Sequence, residues 1–291
     1  MKGDRIMQLS GHTKPFAVLG HPIGHTLSPV MHNASMQELG FDGIYLALDV
    51  HPDRLMEVLP AMELMGFAGV NLTVPHKEVA FHGLEKLDES AKLFGAANTV
   101  EFTEDGMVGH NTDGYGFLKA LEEAFGKMVE GDAVFVLGCG GAGRATALQA
   151  AVEGAKSLVL ADIDAERVQK LNDEISVLTP HVEVAQVLDK SRQIELCREC
   201  DLVVQASPVG MKKDDPSLLP PEAFREGQCA FDLIYMYPET AFLTTARGAG
   251  AQIANGLGML LHQGARAFEI WTGTEPSVPA MRKALEEAVY K

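Results

Sequence analysis

The sequence predicts an α/β protein with two domains, and three observations indicate this. The chain of 291 residues is long enough for two domains of ordinary size. Hydrophobic residues make up 46% of it, in short apolar runs that alternate with amphipathic stretches. Many of its 29 glycines stand in short loops at the ends of those runs, as in α/β proteins.

The first part of the chain carries the pattern of one α/β layer domain. Apolar runs predict strands over residues 16–20, 44–50, 69–74 and 98–102. Between them, helices are predicted over residues 28–40 and 55–65. Ser28 is expected to be the N-cap of the first helix and Pro29 its first helical residue.

The second part begins after a helical pattern over residues 113–125. The continuous apolar run 133–137 is typical of a buried parallel strand. Further strands are predicted at 157–161, 202–206, 230–232 and 252–254, with helices between them, and a last helical stretch covers 258–272. We therefore expect one domain from residues 1–113 and 256–291, with the final helices returning to it, and a second domain from residues 114–255.

Charge and cysteine content narrow the class of protein. A net charge of −16 disfavours binding to nucleic acid or to anionic membranes. The N-terminus lacks a signal-peptide core, and no stretch approaches the ~20 apolar residues of a membrane helix. The sequence predicts reduced thiols rather than a zinc site at Cys139, Cys197, Cys200 and Cys229, because the single CxxC has no second pair. We expect a cytoplasmic protein, a monomer or homodimer, with a small-molecule partner and no metal.

A glycine-rich loop predicts a dinucleotide site in the second domain. Gly138, Gly140 and Gly143 form GxGxxG directly after a buried strand and before a helical run. The first glycine permits the tight turn, the second lets the pyrophosphate approach the backbone, and the third lets helix and strand pack closely. The N–H groups at the helix start, near Gly141 and Ala142, face the phosphates.

The next strand ends in an acid that bears on the choice of dinucleotide. Asp162 follows Gly143 by nineteen residues, where a carboxylate accepts hydrogen bonds from the adenosine ribose and repels a 2′-phosphate. This predicts NAD in preference to NADP. Arg167 lies five residues further and could still reach a phosphate, so NADP stays open.

A lysine and an acid suggest proton transfer in the first domain. Lys77 follows a strand-like run that ends at Pro75, and Asp113 lies in the stretch Asn111-Thr112-Asp113-Gly114. If the two side chains meet in a cleft, they form an acid/base pair. The alternative for Lys77 is a solvated lysine at a helix start. His76 beside it is expected to be exposed.

Taken in order, six motifs resemble the shikimate dehydrogenase family, which includes quinate/shikimate dehydrogenases. The resemblance runs from Gly20 to about Phe268. The motifs are residues 20–29 (GHPIGHTLSP), 71–77 (NLTVPHK), 96–99 (AANT), 111–114 (NTDG), the glycine loop 138–143, and 255–260 (NGLGML) with Gln263.

The resemblance implies a fold, a reaction and a set of site residues. The fold is an N-terminal α/β substrate-binding domain and a Rossmann dinucleotide-binding domain, with C-terminal helices returning to the first. The reaction is the NAD(P)-dependent, reversible reduction of 3-dehydroshikimate to shikimate, with Lys77 as acid/base. The implied substrate contacts are Thr26 and Ser28 at the carboxylate, Tyr235 near it, and Thr73, Asn98, Asp113 and Gln263 at the ring hydroxyls. Further implied dinucleotide contacts are Ser207, Leu233, Gly256 and Met259.

Three departures from the family pattern keep alternatives open. Thr26 replaces a serine, and its extra methyl could favour quinate. Asp162-Ile163-Asp164 stands where NADP-using members carry Asn-Arg-Thr, and the turn at 205–208 reads Gln-Ala-Ser-Pro. The alternatives are a quinate/shikimate dehydrogenase, a methylenetetrahydrofolate dehydrogenase-like enzyme, and a non-catalytic dinucleotide sensor on the same fold.

Overall fold

The chain folds into two compact α/β units, as a computed structural model that describes residues 9–290. Unit 1 contains residues 9–113 and 261–289, and unit 2 contains residues 114–260 together with Tyr290. The α/β fold class predicted from the sequence is confirmed. The second division falls after residue 260, a few residues beyond the boundary expected near 256. The expected absence of a signal peptide concerns in part residues 1–8, which lie outside the described residues.

Unit 1 is built on a mixed six-stranded sheet in the order β2-β1-β3-β5-β6-β4. Strand β5 runs antiparallel to both of its neighbours, and the other pairs are parallel. The strands are β1 (Lys14–Gly20), β2 (Gly43–Asp49), β3 (Gly69–Leu72), β4 (Lys86–Leu87), β5 (Thr99–Thr103) and β6 (Gly106–His110). The helices of its first segment are α1 (Ser28–Leu39), α2 (Leu55–Leu64), α3 (His76–Gly83) and α4 (Glu89–Phe94), with a 3-10 turn at Pro52–Arg54.

The central strand β1 of the sheet of unit 1 is buried on both faces, because its successive apolar side chains point alternately to the two sides of the sheet. Ala17 and Leu19 of β1 pack into one core with side chains of α2 and β3. Phe16 and Val18 point to the other face, into a core that contains Phe268. A parallel strand covered on both sides reads as a continuous apolar run, which is why β1 could be predicted.

Unit 2 is built on a fully parallel six-stranded sheet in the order β12-β11-β10-β7-β8-β9. Its strands are β7 (Ala133–Leu137), β8 (Ser157–Ala161), β9 (Glu183–Val187), β10 (Leu202–Gln205), β11 (Cys229–Asp232) and β12 (Gln252–Asn255). Its helices are α5 (Asp113–Phe125), α6 (Gly141–Val152), α7 (Ala165–Leu178), α8 (Lys190–Glu199) and α9 (Ala241–Gly248), with a 3-10 turn at Pro221–Ala223. Helix α10 (Leu257–Thr272) contains the division between the units, and α11 (Val278–Val289) belongs to unit 1.

The strand order of unit 2 is that of a doubly wound Rossmann sheet. The chain moves from β7 outward to β9, then returns to the other side of β7 with β10. The reversal between β7 and β10 is a switch point, and ligands of such sheets bind beside it, at the carboxyl ends of the strands. The glycine loop follows β7 directly, so the fold presents it at that position.

Several predicted boundaries need correction. Ser28 is the first residue of α1 rather than its N-cap, because Leu27 takes the N-cap position without a side-chain hydrogen bond. Strands β4, β6 and β9 were not predicted. Strand β6 pairs with β5 across the turn at 103–106, and β9, at the edge of its sheet, has three exposed residues among its five and no regular alternation.

Candidate active site

A lysine and a carboxylate are ion-paired in unit 1. Helix α3 begins at His76, so Lys77 stands in its first turn, while Asp113 is the first residue of α5. The Lys77 Nζ atom lies 2.6 Å from Asp113 Oδ2, and the two side chains are 30% and 16% exposed. The pair is therefore sheltered but open enough for a substrate to reach the ammonium group.

The amide of Asn98 binds the second oxygen of this carboxylate, and further polar groups lie around that amide. Asn98 Nδ2 donates to Asp113 Oδ1 at 2.9 Å, and Asn98 Oδ1 accepts from the Thr112 backbone N–H at 2.9 Å. Gln263 Oε1 lies 3.5 Å from Asn98 Nδ2 and 3.4 Å from Thr112 Oγ1. Asn98, Asp113 and Gln263, which the resemblance assigns to ring hydroxyls, thus lie together beside Lys77.

The residues assigned to a substrate carboxylate lie where α1 begins. Thr26 Oγ1 is 3.3 Å from Ser28 Oγ and accepts a hydrogen bond from the Ser28 N–H at 3.3 Å. Ser28 is 7% exposed, while Thr26 is partly buried. Thr73 follows β3, and its carbonyl accepts from the His76 N–H at 2.8 Å, which fixes the start of α3.

The glycine loop has the geometry that a dinucleotide requires. Gly138 has φ of 101°, a conformation that favours glycine. A Cβ at Gly143 would stand 1.8 Å from the Gly138 carbonyl oxygen, so only glycine lets α6 approach β7 here. A Cβ at Gly140 or Gly141 would meet nothing within 4 Å, which leaves the loop open on its outer side. The N-terminus of α6 begins at Gly141 and offers its N–H groups to an anion.

Other residues assigned to the dinucleotide lie at the same edge of the sheet or in the helix that follows it. The Ser207 backbone, after β10, would stand 2.7 Å from a Cβ at Gly138. Gly256 packs on Leu233, since a Cβ there would lie 2.1 Å from the Leu233 carbonyl oxygen. Met259 lies in the first turn of α10.

Asp162 contacts the glycine loop itself. Its Oδ2 accepts from the Cys139 N–H at 2.6 Å, and its Oδ1 accepts from the Asp164 N–H at 3.0 Å. Arg167 Nε is 3.2 Å from Asp164 Oδ2, so this guanidinium is paired with Asp164. Ile163 between the two acids is fully exposed.

Tyr235 lies in unit 2, after β11, among buried groups. Burial raises its pKa, so its hydroxyl stays protonated at neutral pH. Asp232 precedes it on β11, and this carboxylate accepts from Thr240 Oγ1 at 2.5 Å and from the Ile234 N–H at 3.0 Å. These contacts fix the segment that carries Leu233 and Tyr235.

The expectation that His76 is exposed is wrong. Its side chain is fully buried, and burial lowers its pKa. An eight-residue helix has too few turns for its sequence to show which face is buried, so the error has a physical origin. The nearby His21 binds Asp49, with 2.7 Å between Nδ1 and Oδ1.

Residues 9–290 contain no candidate metal cluster, and their cysteines are buried. Within that range no group of three or more His, Cys, Asp or Glu side chains could hold a metal ion. The four cysteines are free and buried, and burial raises the pKa of Cys200 to about 12. Over the same residues, no helix has both the length and the apolar character needed to span a bilayer.

Three side chains of the site region received no role from the sequence. Thr112 and Asn71 lie within quoted motifs, and both prove buried and hydrogen-bonded next to Asn98. Tyr45 lies outside every motif, yet its hydroxyl reaches Asn71. The one signal for Tyr45 is an aromatic residue with a polar tip in a strand that is apolar up to its last residue, Asp49, since a buried tyrosine hydroxyl needs a partner.

The fold and these residues define the class of two-unit dehydrogenases that combine a lysine–carboxylate pair with a Rossmann dinucleotide loop. Residues 18–100 match the family model of the shikimate dehydrogenase substrate binding domain, and residues 256–286 match that of the shikimate 5'-dehydrogenase C-terminal domain. A shikimate dehydrogenase (NADP(+)) of Methanopyrus kandleri is 40% identical, over 97% of this chain and 98% of its own. The chain belongs to the shikimate dehydrogenase family.

Solved structures with the same architecture include two with bound ligands. Shikimate 5-dehydrogenase from Listeria monocytogenes, in complex with shikimate and NAD, superposes with a TM-score of 0.90 at 33% identity, over 96% of this chain and 99% of that one. Quinate dehydrogenase from Corynebacterium glutamicum, in complex with NAD, gives 0.87 at 31% identity, over 94% and 99% of the two chains.

Proposed function

We propose that this protein is an NAD(P)-dependent dehydrogenase that interconverts 3-dehydroshikimate and shikimate, with Lys77 as the acid/base. The observation that carries the proposal is the ion pair between Lys77 Nζ and Asp113 Oδ2, 2.6 Å apart, with Asn98 on the second carboxylate oxygen. This arrangement places a proton donor beside groups that hydrogen-bond hydroxyls, as the reduction of a ketone on a polyhydroxylated ring requires.

Each residue then has a chemical task. Thr26 and Ser28 bind the substrate carboxylate, while Thr73, Asn98 and Gln263 bind its ring hydroxyls. In the reductive direction, the Lys77 ammonium protonates the carbonyl oxygen, and in the oxidative direction neutral Lys77 takes the hydroxyl proton. Asp113 orients Lys77 and accepts a hydrogen bond from a substrate hydroxyl. When bound, the dinucleotide supplies or accepts the hydride.

For the choice of dinucleotide, some observations favour NADP and others favour NAD. Relatives such as the Methanopyrus kandleri enzyme are named for NADP(+), which favours NADP. In this chain, Asp162 puts a carboxylate on the glycine loop, and Arg167 is paired with Asp164 rather than held apart for a phosphate. The similar structure from Listeria monocytogenes is a complex with NAD. From the contacts of Asp162 and Arg167 we propose that NAD is preferred.

A quinate/shikimate dehydrogenase is the second candidate. Thr26 adds a methyl group beside Ser28, at the end of the site assigned to the carboxylate. The similarity to quinate dehydrogenase from Corynebacterium glutamicum also favours this alternative. The two candidates share Lys77 and Asp113 and differ in the ring that the site accepts.

A matrix of initial rates tests both proposals. Shikimate and quinate are each assayed with NAD+ and NADP+, and cofactor absorbance is followed. A higher kcat/KM for shikimate with NAD+ supports the leading proposal, a higher value for quinate supports the alternative, and a clear NADP+ preference overturns our interpretation of Asp162. Binding of dinucleotide and acid in a thermal-shift assay, without turnover of either acid, identifies a sensor instead of an enzyme.

The cellular and oligomeric expectations stay predictions. Cell fractionation tests the expected cytoplasmic location. Size-exclusion chromatography with light scattering distinguishes a monomer from a homodimer.

A further inference from the structure

A turn that follows β10 packs against the glycine loop of unit 2. Residues 205–209 form this turn, which starts at the last residue of the strand. A Cβ at Gly138 would lie 2.7 Å from the Ser207 nitrogen, and one at Gly143 would lie 3.2 Å from the Ala206 Cβ. The turn is therefore in close contact with the first and the third glycine of the loop and forms one wall of the space around it.

One buried side chain makes hydrogen bonds to three backbone groups of this turn. Gln205 is 1% exposed, and its Oε1 accepts from the Ser207 N–H at 2.7 Å. Its Nε2 donates to the Ser207 carbonyl at 3.2 Å and to the Val209 carbonyl at 2.8 Å. The partners fix the orientation of the amide, because its oxygen faces a donor and its nitrogen faces two acceptors.

These three backbone groups have no second hydrogen bond within residues 9–290. Pro208, between Ser207 and Val209, has no N–H to contribute. The remaining contact inside the turn runs from the Val209 N–H to Ser207 Oγ at 3.3 Å. Because backbone polar groups away from water need partners, the path of the turn depends on the amide of Gln205.

The opposite side of the loop is held by other residues. The Gly138 N–H donates to the Ala161 carbonyl at 2.7 Å, and the Cys139 N–H donates to Asp162 at 2.6 Å. These contacts belong to the β8 side, where an acid at the strand end serves the adenosine ribose. Since β10 lies on the other side of β7, the turn lies where the nicotinamide half of a dinucleotide remains to be placed.

We propose that Gln205 is a positioning residue, whose amide holds the Ser207 backbone in place for the nicotinamide half of the dinucleotide. The amide is buried and its hydrogen bonds go to the turn, so it acts through Ser207 and not by its own contact with the ligand. The inference rests on the proposed function, because it assumes that a dinucleotide binds at the glycine loop.

The test is isothermal titration of Gln205→Met, which keeps an unbranched side chain of similar length and removes the amide. We expect the Kd for NAD+ to rise about tenfold, the size expected for losing one or two buried hydrogen bonds. ADP, which lacks the nicotinamide half, is the second probe. Its Kd should stay within about twofold, because the contacts on the β8 side are unchanged. A general loss of structure would weaken both ligands.

Gln228→Met is the matched control. Gln228 is fully buried, its Nε2 donates to the Cys197 and Cys200 carbonyls at 2.7 and 2.9 Å, and its Oε1 accepts from the Arg225 N–H at 3.3 Å. It thus has the same kinds of partner as Gln205, but it precedes β11, at the edge of the sheet opposite the loop. We expect a similar fall in melting temperature and wild-type affinity for NAD+.

A milder variant keeps the inference open to refutation if Gln205→Met folds poorly. Gln205→Asn keeps an amide but is shorter by one methylene. It retains the hydrogen bond to the Ser207 N–H, as asparagine does two residues along a chain, and gives up the Val209 carbonyl. We expect the Kd for NAD+ to rise about threefold, with the Kd for ADP unchanged.

The outcomes separate this inference from the proposed function. Wild-type affinity for NAD+ in folded Gln205→Met or Gln205→Asn, or an equal loss for ADP, overturns the positioning role alone. A wild-type protein that binds neither NAD+ nor NADP+ overturns the proposed function and this inference with it. If the wild type binds NAD+ but oxidises neither shikimate nor quinate, the proposed function fails, and the two titrations still decide the role of Gln205.

Discussion

The carboxylate of Asp162 accepts a hydrogen bond of 2.6 Å from the backbone N–H of Cys139, between the first two glycines of the loop. The acid is therefore hydrogen-bonded to the loop that would receive the dinucleotide, although in sequence it follows the end of the next strand. A ribose hydroxyl brought to this loop finds a ready acceptor, whereas a 2′-phosphate meets a negative charge.

Replacing Asp162 with asparagine should shift the cofactor preference toward NADP. Asparagine keeps one acceptor oxygen and removes the charge, so the ratio of kcat/KM for NADP to that for NAD should rise about tenfold, since close-range charge repulsion is worth about 1 kcal/mol or more. Asp173→Asn, an exposed acid of α7, is the control. An unchanged ratio would show that Asp162 does not select the cofactor.

Gly143→Ala should abolish dinucleotide binding. The new Cβ would lie 1.8 Å from the Gly138 carbonyl oxygen, so the loop or α6 must move. Gly248→Ala is the control, because a Cβ there meets nothing within 4 Å. Isothermal titration with NAD and NADP measures the effect, and wild-type affinity in Gly143→Ala would contradict the described geometry of the loop.

Lys77→Ala should depress kcat far more than it changes the KM for shikimate. General acid/base catalysis contributes about 10²- to 10⁴-fold, and it acts in the transition state. Lys92→Ala provides a matched control, since its Nζ is also ion-paired at 2.7 Å, with Glu89, but on an exposed face of α4. Steady-state kinetics decide, and a kcat near the wild-type value would remove Lys77 from the mechanism.

Ionisation of Asp232 should lower the free energy of unfolding as the pH rises from 4 to 6. Its carboxylate is fully buried, and burial raises its pKa to about 6. The folded protein therefore holds this proton more tightly than the unfolded chain, whose aspartates titrate near pH 3.9, and the free energy of unfolding falls through that window. Below it the full contribution is present, and above it the contribution is lost.

Denaturant unfolding at pH 4 and pH 7 measures this dependence against Asp232→Asn. The stability of the variant relative to the wild type should increase by about 2 to 3 kcal/mol between the two pH values, from about two pKa units. Asp215→Asn is the control of opposite sign, because backbone N–H groups of Gly210 and Lys212 lower the pKa of Asp215. A stability difference for Asp232→Asn that shrinks toward pH 7 would contradict the raised pKa.

Much of the fold was predictable because its strands are buried on both faces or follow recognisable turns. The strands 133–137 and 157–161 were predicted residue for residue, since a parallel strand in a Rossmann sheet is a continuous apolar run. The short strand β4 and the edge strand β9 lack such runs. They are strands because they pair with neighbouring strands, and a local sequence pattern does not show which segments will pair.

The site was predictable where residues form motifs and not where the sheet order brings them together. Lys77 and Asp113 could be paired from their motifs. Tyr45 and Asn71 could not, because β1 lies between their strands, with Phe16 beside Tyr45 and Val18 beside Asn71. That contact depends on the order of strands in space. The burial of His76 could not be predicted for a related reason, since burial of a short helix depends on what packs against it.

Unit 1 takes its residues from both ends of the chain, and this has a consequence for the order of events during synthesis. Trp271 Nε1 donates to the Val100 carbonyl at 3.0 Å and its ring covers Gly69, so the sheet of unit 1 lacks a covering side chain until residue 271 has been made. Unit 2 is continuous apart from Tyr290 and can form its sheet earlier on the ribosome. The residues of the dinucleotide loop are thus synthesised before Gln263, so the set formed by Asn98, Asp113 and Gln263 is completed only when helix α10 has been made.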